Sequence, residues 1–118
     1  VVKDWGRLEH ILIAISNIEE FTKELTEEDF VKSKVLFFAV VKNIEIVGEA
    51  VYMLTKEYKQ SHPSIPWIVI EKMRHVLVHG YYTILPGKVW KTVQEDLPLL
   101  KQQIECLMVE EWKYQLYK

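Results

Sequence analysis

An all-α fold, an antiparallel bundle of four to five helices, is what this sequence predicts, and three observations carry it. Glycine and proline number only four each in 118 residues, too few for the many turns of a β-sandwich. Apolar residues recur at three- and four-residue spacing through four long stretches. The strongest breaks, Ser61-His62-Pro63-Ser64-Ile65-Pro66 and the segment from Gly80 to Gly87, fall between those stretches. The length suits one domain over residues 1–118 with a single core.

The first helix carries Leu8, Ile11, Leu12, Ile15, Ile18 and Leu25 on one stripe, and Asp4 is placed to cap its start. Thr26-Glu27-Glu28-Asp29 resembles a capping box with Asp in the usual Glu position, which predicts a short helical turn. A long second helix is expected from about Ser33 to Tyr58, with Leu36, Val40, Ile44, Val47, Val51, Leu54 and Tyr58 aligned. Val35, Phe37, Phe38, Ala39 and Val41 widen its apolar surface, as expected of a central helix or one with an oligomer interface. Gly48 sits inside it at a cost of about 1 kcal/mol relative to alanine, and close approach of another helix would explain the residue.

Pro66 suits the first position of a third helix that runs through Trp67, Ile70, Met73, Leu77 and Val78 to Gly80. A fourth helix is expected from about Lys88, with Val89, Trp90, Val93 and Leu97 inward. Pro98 should kink or restart it, with Asp96 available as a cap, before Leu100, Ile104, Leu107 and Met108 continue the stripe.

The one cysteine, Cys106, falls within an apolar pattern and reads as a small core residue, which makes a reducing cytoplasm the expected location. No apolar run reaches the roughly 18–20 residues that a membrane span needs, and the sequence shows no basic-then-apolar signal segment. A net charge of −2 argues against a protein that coats nucleic acid non-specifically. The charge is uneven, however. Between residues 71 and 91, Lys72, Arg74, Lys88 and Lys91 stand against Glu71 alone, four positive against one negative, while the first interhelix turn is acidic.

That basic window contains the chemistry-bearing stretch Met73-Arg74-His75-Val76-Leu77-Val78-His79-Gly80-Tyr81-Tyr82. Histidine exchanges protons near neutral pH, and arginine offers a planar fork of donors to a phosphate as charge builds in a transition state. Tyr81 could stack on a base or hydrogen-bond a phosphate. The set suits cleavage of an RNA phosphodiester by its own 2′-hydroxyl, which requires no metal. Five residues separate Arg74 and His79, which places them about 140° apart on an ideal helix. Convergence needs a loosened last turn at Gly80, the reach of the arginine, or an opposite wall from a second subunit.

Simpler roles also fit these residues. A histidine at a helix end can simply cap carbonyls. His75 and His79 with Glu71 give only a weak metal pattern, so no metal and no cofactor are expected. His10 and His62 read as surface or capping residues, and Trp67, Trp90 and Trp112 as core. Glu45 reads as solvated. Glu49, beside Gly48, is a candidate support for the arginine.

Arg74-His75-Val76-Leu77-Val78-His79-Gly80-Tyr81 resembles the Arg-x4-His-x-Tyr motif of HepT-like proteins, a branch of the HEPN superfamily. Asn43-Ile44-Glu45-Ile46-Val47-Gly48-Glu49-Ala50 is similar to that family's second-helix signature. Ile65-Pro66-Trp67, Val89-Trp90 and Asp96-Leu97-Pro98 follow in order, so the resemblance covers nearly the whole chain. It implies a dimerising helical bundle and a metal-independent endoribonuclease toxin partnered by an MNT-type nucleotidyltransferase antitoxin. Arg74 and His79 would be the catalytic pair, and Tyr81 the tyrosine that such an antitoxin can modify with AMP. His75 departs from the family's usual Asn and is a candidate support that could set RNA positioning. Thr83 to Gly87 lacks the acidic residue often found there. The alternative is a non-catalytic helical module that binds a nucleotidyltransferase, nucleotide or RNA; a purely structural dimerisation domain is a third reading.

Overall fold

The computed structural model describes residues 2–80 and 85–117, with side chains for 4–74 and 85–111. Four long helices form its frame: α1 (Val2–Thr22), α3 (Lys34–Met53), α5 (Trp67–Gly80) and α7 (Leu97–Tyr117). Three short ones connect them: α2 (Glu27–Lys32), α4 (Lys56–Ser61) and α6 (Pro86–Lys91). The described residues contain no strand, so the all-α expectation holds.

Helix α3 is central, packed against both α1 and α5, and α7 packs against α1. The side-chain bonds give the directions. Asp4 at the start of α1 meets Thr55 just past the end of α3, and Asn17 near the end of α1 donates to Asn43 at 3.2 Å. Thus α1 and α3 run antiparallel. The apolar positions of the sequence form one core: Leu8, Ile11 and Ile15 of α1 meet Val40, Ile44, Val47 and Val51 of α3, with Leu97, Leu100 and Ile104 of α7. Phe30 of α2, fully buried, lies 5.4 Å from the ring of Trp90 and 6.2 Å from that of Phe37.

The capping box at α2 is formed as expected. Thr26 Oγ1 accepts from the Asp29 amide at 3.2 Å, and Asp29 Oδ2 accepts from the Thr26 amide at 3.0 Å. The backbone bond, first, and the Thr26 side chain hold the Asp29 carboxyl below its ordinary pKa.

Four expectations are corrected. The second helix does not run to Tyr58: it ends at Met53, and Thr55 begins a new helix by accepting from the Tyr58 amide at 3.2 Å. Asp4 does not cap α1. It lies inside that helix, 3% exposed, and its carboxylate accepts from the Thr55 amide and the Thr55 hydroxyl, each at 2.8 Å. These two bonds satisfy the buried carboxylate and fix the break after α3. Cys106 is exposed rather than in the core, since the inward stripe of α7 passes through Ile104 and Leu107. Near Pro98 the helix neither restarts nor uses Asp96 as a cap; a π-helical turn, Thr92–Asp96, joins α6 to α7. Proline has no amide hydrogen to donate, and a widened turn accommodates that loss without ending the helix.

Tyr58 is buried, and its hydroxyl has no hydrogen-bond partner among the described residues. Burial first, then the charges of Glu111, Asp4 and Glu110, push its pKa up, so it stays neutral at any working pH. Tyr58→Phe should therefore preserve folding and raise stability by up to about 1 kcal/mol, because an unpaired buried hydroxyl is removed. Urea denaturation of the two proteins checks this; a loss of stability would show that the hydroxyl does have a partner.

Candidate functional site

The site is built on α5, and its start is pinned by the turn before it. Pro66 supplies the first acceptor, its carbonyl taking the Val69 and Ile70 amides at 3.1 and 3.2 Å. Trp67 is buried, and its indole N–H is shared between the carbonyls of Lys59 (3.1 Å) and His62 (3.0 Å). One side chain thereby ties α5 to α4 and fixes where α5 begins. Lys59 and Glu71 add an ion pair at 2.8 Å between the same two helices.

Two turns along, α5 crosses α3 at Gly48. A Cβ at Gly48 would overlap the Arg74 Cβ and stand 3.2 Å from its Cγ and 3.3 Å from its Cα. The close approach inferred from the glycine is therefore real, and the residue it admits is Arg74. Arg74 Cζ lies 5.7 Å from the ring centroid of Tyr52, one helical turn after Gly48 on α3. Among the described residues no carboxylate stands within ion-pairing distance of Arg74. The guanidinium is thus held by packing and a ring face, and among the described residues no side chain takes its N–H donors, which suit an anion.

The other candidates are distributed as follows. Glu49 is exposed and lines a shallow cleft with Arg7, His10, Ile46, Ala50 and Met53; it is not brought into an ion pair with Arg74. His10 lies in that cleft on α1. Glu45 pairs with Lys42 at 3.8 Å. His62 ends α4, where its amide donates to the Lys59 carbonyl, and its ring lies 4.7 Å from that of Tyr58. Glu71 is paired with Lys59, as above. Among the described residues no group of three or more metal-binding side chains converges, and no helix is long and apolar enough to cross a membrane.

His79 is on α5, which stays helical through Gly80. The side chains of His75 and His79, and the whole of Tyr81, lie outside the described residues, as does the side chain of Trp112. Tyr52 was not singled out in the sequence. Its signal was there: it follows Gly48 by four residues, on the face that Gly48 opens to α5.

The family model described as ribonuclease HepT-like matches residues 11–107. The chain belongs to this family. A protein of Thermococcus cleftensis named "Probable ribonuclease HepT" is 45% identical over 100 residues, which cover 85% of this chain and 91% of that one. One of Caldanaerobacter subterraneus subsp. tengcongensis named "Putative RNase" is 38% identical over 104 residues, 88% of this chain and 93% of the relative. A Methanocaldococcus jannaschii protein named "Gamma-glutamylcyclotransferase and putative RNase" is 43% identical over 103 residues, 87% of this chain. The chain spans only 46% of that relative's length. No solved structure matches the chain.

Proposed function

We propose that this HepT-like chain is a metal-independent endoribonuclease in which Arg74 and His79 act on an RNA phosphodiester. The observation that supports it most is the state of Arg74, set against α3 by Gly48 and without a carboxylate partner among the described residues. A guanidinium not engaged by a carboxylate keeps its planar fork of donors open to phosphate oxygens. Relatives named as ribonucleases over almost their whole length point to the same substrate class.

In this reading the 2′-hydroxyl of RNA attacks the adjacent phosphorus, its proton passing to a base as the 2′-O–P bond forms. The P–O5′ bond breaks, and the departing oxygen takes a proton. His79 supplies general acid–base catalysis, and Arg74 stabilises the charge on the phosphorane-like transition state. Tyr81 contacts RNA and is the position an MNT-type nucleotidyltransferase antitoxin would modify with AMP, adding bulk and negative charge to an RNA groove. Because positions 74 and 79 are separated by about 140° around an ideal helix, and α5 is helical through Gly80, a homodimer in which two copies face one cleft is part of the proposal. So are the single domain over 1–118, a toxin role in the cytoplasm, and support from His75.

Purified protein incubated with RNA in excess EDTA is the test. The wild type should cleave, and folded His79→Ala and Arg74→Ala should each lose roughly a hundredfold or more in rate. Equal cleavage by all three would refute the assignment. If the wild type cuts nothing and His79→Ala alters only nucleotidyltransferase or nucleotide affinity, the chain is the non-catalytic module.

A further inference from the structure

We propose that Tyr52 is a positioning residue, whose ring holds the Arg74 guanidinium ready for phosphate without neutralising it. The proposal rests on the ribonuclease reading for its consequence, but its geometry stands alone. Tyr52 is 61% exposed near the end of α3, too open to be a core residue. It shares a helix face with Gly48, and α5 presents Arg74 to that face: the backbone and Cβ of Arg74 meet Gly48, and its Cζ lies 5.7 Å from the Tyr52 ring centroid. Gly48 thus sets the base of the arginine, and Tyr52 sets its far end.

A carboxylate could also hold an arginine, but it would occupy the fork that a phosphate needs and cancel the charge that attracts it. A ring face restrains the guanidinium while leaving its in-plane donors free. Glu71, three residues before Arg74, is engaged by Lys59, and Glu49, beside Gly48, lines the cleft with Arg7 and His10. The arrangement therefore separates holding from neutralising.

Two measurements test this on the intact protein. Ring currents should shift the Arg74 side-chain proton resonances upfield; Tyr52→Phe should retain the shift and Tyr52→Leu abolish it. With RNA, Tyr52→Leu should lower kcat two- to fivefold at nearly unchanged KM, as expected for one exposed cation–π contact, and Tyr52→Phe should restore it. In an Arg74→Ala background, Tyr52→Leu should have no further effect. An unchanged Arg74 spectrum in Tyr52→Leu overturns the contact. A loss that persists in the Arg74→Ala background overturns the positioning role in favour of direct base stacking, and a kcat unmoved by Tyr52→Leu overturns it outright. Absence of cleavage by the wild type would instead refute the ribonuclease reading, while the spectra would still decide whether Tyr52 holds Arg74.

Discussion

Gly48→Ala should destabilise the protein and depress RNA cleavage, whereas Gly6→Ala should stabilise it. Both glycines lie inside long helices, so each exchange gains roughly 0.5–1 kcal/mol of helix propensity. The surroundings reverse the sign at one of them. Nothing lies within 4 Å of a Cβ at Gly6. A Cβ at Gly48 runs into the Cβ and Cα of Arg74 on the neighbouring helix, atoms that cannot rotate away. Separating α3 from α5 carries an overpacking cost of typically 1–3 kcal/mol, which outweighs the propensity gain. The net loss should be about 1 kcal/mol, read as a lower thermal midpoint. Cleavage should fall by more than stability explains, because the displaced residue is the proposed phosphate binder. A Gly48→Ala protein as stable and as active as the wild type would mean that the α3–α5 crossing has room for a Cβ.

The contrast between these glycines marks what the sequence could and could not convey. Gly48 announced a close approach through its cost in a helix, but the partner, Arg74, lies 26 positions away and only folding names it. The core was legible because a stripe at 3.6-residue spacing specifies its own buried face. The same stripe concealed the end of α3. Leu54 and Tyr58 stay buried on either side of Thr55, so periodicity continues across a real break. What ends the helix is Asp4, 51 residues earlier, and a single carboxylate near the start of a chain reads as a cap by default. Cys106 was misplaced for a related reason. Two residues from Ile104 it points to the far side of α7, and there angle around the helix outweighs the usual preference of cysteine for the core.

Arg74→Lys should fail to restore activity, with cleavage remaining within about tenfold of the Arg74→Ala level and roughly a hundredfold below the wild type. Charge alone would predict rescue, since both side chains are cationic at neutral pH. The site uses more than charge. Arginine emerges between Gly48 and Tyr52, its Cζ over a ring and its donors fanned in one plane toward whatever lies beyond. An ammonium has no plane to stack and no paired donors to engage two phosphate oxygens, and its tighter hydration shell resists the move from water. Because α5 is fixed at its start by Trp67 and at its middle by Gly48, the backbone cannot shift to compensate for the shorter reach. Single-turnover cleavage of one labelled RNA by the three proteins, with equal folding shown by circular dichroism, distinguishes the cases. Lysine at half the wild-type rate would mean that Arg74 acts as a point charge, and the fork geometry would then have no part in the chemistry.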